Sequence, residues 1–167
     1  MTYRSPFGTI DTDHEWPDAL CLSRTHCVNA PKETFGEFHA ATIAVIEAGT
    51  ALPAFFLSRH MAELSLKALL GPNHKKVGHD LGKLLAQLEE RGDDLLGPGQ
   101  EQRLVADFIR DTHRIDPKGD EGRYATTTGG TPSLATVCCA DPALLRAYVD
   151  LLFTYTQSRL APVGQPA

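Results

Sequence analysis

Apolar residues along most of the chain recur every three or four positions, the spacing that places them on one face of an α-helix. The pattern is clearest where Leu81, Leu84, Leu85 and Leu88 follow one another at i, i+3, i+4 and i+7. Pro31 precedes another such run and suits the first turn of a helix, because its missing N–H would be unpaired there. The spacing predicts helices over residues 31–49, 55–71, 78–92, 98–116 and 141–160.

The second of these segments, FFLSRHMAELSLKALLG (55–71), is apolar on nearly every side. Its polar sector covers roughly a quarter of the helix circumference. That sector carries Phe56 together with Arg59, His60, Glu63 and Lys67. A helix with so little polar surface belongs inside a bundle, and this segment is therefore predicted to be the central helix.

Residues 123–139 break the helical spacing. The segment RYATTTGGTPSLATVCC is rich in Thr and Val around a Gly-Gly pair, which predicts a short β-hairpin. The predicted fold class is all-α, a four- to five-helix bundle with this hairpin inserted before the C-terminal helix. The predicted organisation is an irregular N-terminal segment (1–30), a single helical domain (31–160) and a frayed tail (161–167).

Composition and charge narrow the class of protein. The chain has 167 residues, 42% hydrophobic and 22% charged, which suits one folded domain. Its net charge of -5 argues against a protein that coats nucleic acid through charge alone, although a local basic patch remains open. The first residues show no secretory signal, and no apolar run approaches the roughly 18 residues that span a bilayer. We therefore expect a cytoplasmic protein with no membrane partner.

Three phrases of the chain, in this order, carry a family resemblance: RHMAELSLKALL, GHDLGKLL and IDPKGDEGRYAT. Together they resemble the HEPN superfamily (higher eukaryotes and prokaryotes nucleotide-binding domain), over about residues 53–127 and with a final helix also expected. The resemblance implies a helical bundle that is frequently a homodimer. Many members are metal-independent ribonucleases of toxin–antitoxin, CRISPR or phage-defence systems, and others are non-catalytic partners of nucleotidyltransferases.

The catalytic members of that family carry an arginine followed, after four to six residues, by a histidine. No arginine of this chain meets that spacing: Arg110 is separated from His113 by two residues, and Arg103 has no histidine before His113. The family's catalytic residues are therefore not carried over. The residues that match the three phrases are Glu63, Lys67, His79, Asp80, Asp116, Arg123 and Tyr124.

The polar sector of the central helix has two interpretations. Arg59 with Glu63, and Glu63 with Lys67, are i, i+4 pairs that can form a ladder partly facing water, worth about 0.2–0.5 kcal/mol per pair. The same residues can instead line a polar groove facing the region of Arg123. His79, predicted at the N-cap of the next helix, either caps and packs or acts as a base whose neutral form the helix dipole favours. The candidate binding residues are Arg59, Glu63, Lys67, His79, Arg114, Asp116, Arg123 and Tyr124.

The densest polar run, IRDTHRIDPKGDEGRY, offers a rearranged catalytic site. Cleavage of RNA without a metal needs a base for the 2′-hydroxyl and cations for the phosphate. His113 is the candidate base, with Arg110 as the first candidate cation and Arg114 or Arg123 as others. The alternative is a solvated helix end whose cations complement the helix dipole.

Other kinds of site have weak support. His14, Cys21, His26 and Cys27 are zinc-ligand types, but no CxxC pair is present. No phosphate-binding glycine motif and no GxSxG elbow occurs, so no metal and no cofactor is predicted. The roles of the four cysteines, Cys138 and Cys139 included, stay open.

Three functions follow. The first is a binding module for RNA, a nucleotide or a protein, with a nucleotidyltransferase-type or antitoxin partner; the second is the rearranged ribonuclease; the third is a scaffold without a ligand.

Overall fold

The structure is a computed structural model that describes residues 31–71, 77–92, 99–124, 126, 129–135 and 137–160. They lie within one compact unit of residues 31–167. Among them are five α-helices and no strand, which confirms the all-α prediction. The helices are α1 (Pro31–Glu47), α2 (Ala51–Leu70), α3 (Leu81–Glu90), α4 (Gln100–Ile115) and α5 (Pro142–Leu160). None of the described helices is both long and apolar enough to cross a bilayer.

Helix α2 is the centre of the bundle, as its apolar circumference predicts. It packs against each of the other four helices. Around it, α1 packs on α5, α5 on α4, and α4 on α3. Within the described residues, α1 and α3 do not pack closely on each other, so the ring of helices around α2 stays open between them.

The core combines residues from all five helices. Met61 and Leu66 of α2 are fully buried, together with Leu84 of α3, Ile109 of α4 and Leu152 of α5. Phe35 of α1 closes the same cluster. Burial of a side chain of this size contributes about 1.5–3 kcal/mol to the stability of the fold. The four leucines of α3 are all buried in the core, so their packing stabilises this short helix.

Helix α2 starts four residues earlier than the spacing predicts. It begins at Ala51 rather than residue 55, because Pro53 lies in the first turn, where its missing N–H leaves no hydrogen bond unmade. The predicted N-cap of α3 is also corrected. Asp80, not His79, is the N-cap, and its carboxylate accepts from the backbone N–H of Lys83.

The predicted β-hairpin at 123–139 is not seen among the described residues of that segment. They contain one isolated antiparallel bridge, between Thr126 and Pro132, followed by a turn. Proline donates no hydrogen bond to a ladder, and Leu134 has a φ of 55°, which no regular strand allows. The predicted N-terminal segment (1–30) and tail (161–167) lie outside the described residues. The four residues considered as zinc ligands, His14, Cys21, His26 and Cys27, belong to that N-terminal segment.

Candidate binding surface on helix α2

Arg59 is buried in the middle of α2, with only 2% of its surface exposed. Its Nε donates to the backbone oxygen of Asp116 at 3.2 Å. Its Nη1 donates to Glu63 at 3.2 Å, and its Nη2 to the backbone oxygen of His79 at 2.9 Å. One guanidinium thus joins α2 to the turn before α3 and to the segment that follows α4.

Asp116 ends α4 and is completely buried. Its Oδ1 accepts from the backbone N–H groups of Gly119, at 2.7 Å, and Asp120, at 3.1 Å. Its Oδ2 lies 3.2 Å from Nε of Arg59, but the contact lacks hydrogen-bond geometry and is an ion pair only. The carboxylate therefore folds residues 116–120 into a turn and holds that turn against the positive charge of Arg59.

Two glycines let the segment after α4 approach α2 closely. Gly119 has a φ of 80°, and a Cβ there would lie 2.7 Å from Cζ of Arg59. At Gly122 a Cβ would lie 3.0 Å from the ring of Phe55 and 3.1 Å from Cβ of Phe56. The segment 116–124 therefore lies directly on the polar sector of α2.

Glu63 is as deeply buried as Arg59 and binds three groups. Besides Arg59, its carboxylate accepts from Nζ of Lys67 at 2.7 Å and contacts Nδ1 of His79 at 2.6 Å. Burial alone would raise the pKa of Glu63, but the hydrogen bonds from Lys67 and His79 outweigh it and the pKa is lowered. The carboxylate is thus ionised, and it fixes one edge of the imidazole while 66% of the His79 side chain stays exposed.

A stack of rings and a cation lies beside this cluster. The ring of His60 meets Phe38 edge-on at 4.7 Å and lies parallel to Phe56 at 6.1 Å. The guanidinium of Arg123 lies over the Phe56 ring, 5.4 Å from its centre. Burial lowers the pKa of His60, Glu63 opposes the shift, and the charges of Arg123, Lys67 and Arg59 add to it. His60 is therefore held neutral among cations.

The region is less acidic than the chain as a whole. Helix α2 and the segment 116–124 together carry four cations and four carboxylates, so the region is neutral, whereas the whole chain carries -5. The cations are Arg59, Lys67, Lys118 and Arg123, and the carboxylates are Glu63, Asp116, Asp120 and Glu121. Tyr124 follows with 63% of its surface exposed. We call the solvent-facing part of this region the α2 polar surface; it consists of His60, Lys67, His79, Arg123 and Tyr124.

The predicted catalytic residues lie elsewhere, along α4. Arg110 is exposed and pairs with Glu89 of α3 at 3.1 Å and with Asp107 at 3.0 Å. Arg114 pairs with Asp111. The structure thus brings Arg59, Glu63, Lys67, His79 and Asp116 together, with Arg123 beside them, but it does not bring Arg110 or Arg114 to that cluster.

His113 packs on α3 instead of facing Arg123. A Cβ at Gly82 would lie 2.7 Å from its Nε2, so this glycine admits the imidazole. Its Nδ1 has no hydrogen-bond partner and lies 3.8 Å from a carboxylate oxygen of Asp80. The histidine therefore stands next to an acid, at the N-terminus of α3.

The candidate site residues named from the sequence do not include Phe56 and His60, although both lie in the predicted polar sector of α2. Their spacing was the available signal, because Phe56, His60, Glu63 and Lys67 follow i, i+4, i+7 and i+11 along one stripe of α2. The close approach of Gly119 gives no such signal, because its partner is far away in the chain.

No family model, curated protein or solved structure matches this chain. In the part of the chain that the structure describes, no group of three or more His, Cys, Asp or Glu side chains is placed to hold a metal ion. The arrangement on α2 offers cations, an imidazole edge and aromatic rings to a ligand.

Proposed function

We propose that this chain is a HEPN-like helical binding module that holds RNA or a nucleotide on the α2 polar surface without cleaving it. The observation that carries the proposal is the placement of two cations, Lys67 and Arg123, beside stacked rings, in a region that has no net charge although the chain is acidic. Phosphates favour such cations, and bases stack on aromatic rings and on guanidinium planes.

Each exposed group of the surface has a use in this binding. Lys67 and Arg123 provide charge for phosphate oxygens, because Lys67 keeps 20% of its side chain exposed and Arg123 is exposed. The ring of Tyr124 is open for stacking, which contributes about 1–3 kcal/mol per base. The free edge of His79 adds a polar group oriented by Glu63.

Binding without cleavage is supported by two features. The arginine–histidine spacing of the family's ribonucleases is absent. Arg59, Glu63 and Asp116, the most buried charges of the region, bind one another and the backbone. From the resemblance alone, we further propose that the module acts in a toxin–antitoxin or defence-type system, as a homodimer or with a nucleotidyltransferase-type or antitoxin partner.

The test is the affinity for a labelled single-stranded RNA, measured by fluorescence anisotropy over a range of salt concentrations. Arg123→Ala should weaken binding and reduce the salt slope by about 0.7, the value for one phosphate contact on a single strand. The matched control is Arg146→Ala, which removes an exposed, ion-paired arginine from α5. Equal losses of RNA affinity in the two variants would contradict a binding site on the α2 polar surface. If wild type binds no RNA at low salt, the result favours the scaffold without a ligand.

A second candidate function is the metal-independent ribonuclease with Arg110 and His113. The observation that favours it is the proximity of Asp80, whose carboxylate oxygen lies 3.8 Å from Nδ1 of His113. A hydrogen bond formed by closing this distance would orient the imidazole as a base. Purified protein is incubated with labelled RNA in EDTA. Cleavage that is lost in His113→Ala and kept in Thr154→Ala, an exposed control on α5, would support the enzyme.

A further inference from the structure

Two adjacent cysteines, Cys138 and Cys139, line a groove between α4 and α5. The groove has a volume of about 860 Å³, and its lining includes Phe108 of α4, Tyr148 of α5 and also Phe55 of α2. No residue of the α2 polar surface lines it. Both cysteines are exposed free thiols. Neither takes part in the function proposed above, and the inference drawn here is independent of it.

The two sulfur atoms are in direct contact. Sγ of Cys138 lies 3.0 Å from Sγ of Cys139, and the pair forms a hydrogen bond in which either thiol can donate. Side chains of neighbouring residues in extended backbone ordinarily point to opposite faces. The backbone here instead turns both thiols toward each other and toward the same groove.

The segment that carries the thiols is fixed at both ends. On one side, the N–H of Val137 donates to the backbone oxygen of Leu134 at 2.9 Å. On the other, the carboxylate of Asp141 accepts from the N–H groups of Ala143 and Leu144 and so caps α5. The anchoring limits the freedom of the two thiols, and groups held in contact react with a high effective concentration.

We propose that Cys138 and Cys139 form a redox-reactive vicinal dithiol that a peroxide oxidises to a disulfide in the wall of the groove. One of the two thiolates attacks one peroxide oxygen; the S–O bond forms, the O–O bond breaks and hydroxide leaves. The sulfur of the other cysteine then attacks the sulfur of the sulfenic acid, the S–S bond forms, and the S–O bond breaks. The thiol protons end on the leaving oxygens, so one hydrogen peroxide and two thiols give one disulfide and two waters.

The hydrogen bond also affects when the pair reacts. The hydrogen bond to Cys138 and the charge of that neighbour raise the pKa of Cys139. The thiolate is the nucleophile in both sulfur oxidation and disulfide exchange, so the pair should be oxidised faster at alkaline pH.

The test uses the full chain with Cys21→Ser and Cys27→Ser, so that only the dithiol can react. The reduced protein is treated with hydrogen peroxide, alkylated and digested with trypsin, which releases residues 124–146 as one peptide. We expect this peptide to lose the mass of two hydrogens and both alkylation sites. Treatment with dithiothreitol should restore both sites.

The single variants Cys138→Ser and Cys139→Ser serve as matched controls, since each keeps one exposed thiol. Both should give a sulfenic acid, higher acids or a dimer linked between chains, and neither should give a disulfide within the peptide. The proposal is overturned if the peptide of the dithiol protein keeps both alkylation sites after peroxide, or if it gains oxygen without losing two hydrogens.

Discussion

Gly119 is the residue on which the burial of Arg59 depends. Its φ of 80° suits glycine, and its α-carbon faces the guanidinium so closely that a Cβ would lie 2.7 Å from Cζ. A side chain at this position would have to displace a buried cation from Glu63 and Asp116. Breaking one partner of such a buried pair is costly because it leaves a charge uncompensated.

Gly119→Ala should therefore destabilise the fold more than Gly130→Ala does. Gly130 has the same φ of 80° but nothing within 4 Å of its Cβ position, so the control carries the same backbone strain without the contact. We expect Gly119→Ala to cost about 1–3 kcal/mol more, the usual range for overpacking. Urea unfolding followed by circular dichroism measures both. Equal losses of unfolding free energy in the two variants would mean that backbone strain, and not the contact with Arg59, sets the cost at residue 119.

His60 makes stability depend on pH near neutrality. Its pKa in the fold lies below the usual 6.5, because burial and the cations of Arg123, Lys67 and Arg59 outweigh Glu63. The unfolded chain therefore takes up this proton at higher pH than the folded chain does. The contribution of His60 is fully present above pH 6.5 and is lost as the pH falls toward the folded pKa.

Replacing His60 with phenylalanine should remove this contribution and keep the ring contacts with Phe38 and Phe56. Urea unfolding at pH about 7.5 and about 5.5 compares the two proteins. Wild type should lose more stability than His60→Phe between these values. A variant that loses as much as wild type would show that His60 does not titrate differently in the fold.

The sequence could predict only the local part of this arrangement. The i, i+4 spacing of Arg59, Glu63 and Lys67 indicates that they pair, and they do. It does not indicate that Arg59 and Glu63 are buried, because the cover comes from Asp116, 57 residues away from Arg59. A contact of that separation has no periodic signature in the chain.

At the scale of elements, a pair of hydroxyls joins α2 to α5. The hydroxyl of Thr156 donates to the backbone oxygen of Leu152 at 2.8 Å, and Oγ of Ser65 lies 2.5 Å from Oγ1 of Thr156. Ser65 is therefore the donor in the contact between the helices. Both residues are completely buried, so water is not a substitute partner.

The two hydroxyls should respond unequally to removal. Thr156→Val deprives the buried Ser65 hydroxyl of its acceptor, which costs about 1–3 kcal/mol. Ser65→Ala leaves Thr156 bonded to Leu152 and should cost less. The double variant should be more stable than Thr156→Val alone, because no unpaired hydroxyl remains. Additive losses in a double-mutant cycle of urea unfolding would contradict this coupling.

Helix spacing predicted the elements better than their connections. Five runs of periodic apolar residues became five helices. The spacing starts α2 at residue 55, after Pro53, although proline is accepted in the first turn of a helix. The segment 123–139 has strand-forming composition, but Pro132 and the backbone of Leu134 do not support a ladder. Strand composition reports side-chain fit to a sheet, and no neighbouring strand is present among the described residues.

At the scale of the whole molecule, stability should be greatest in α2, because α2 packs on every other helix. Native-state hydrogen exchange measures this directly. Amides around Met61 and Leu66 should exchange only through global unfolding, whereas those of the first turns of α5, where Leu144 is 54% exposed, should exchange through local opening. Faster exchange in the middle of α2 than at the start of α5 would contradict a central α2.

The central position of α2 has a consequence for synthesis of the chain on the ribosome. Helix α2 is the second of the five in the sequence, yet it packs on α5, the last of them. A nascent chain that ends before residue 142 has no α5, so the side of α2 with Ser65 cannot be covered. Exposed apolar surface of this kind invites aggregation or chaperone binding. Translation pauses before α5 should therefore prolong the vulnerable period, and pauses after it should not.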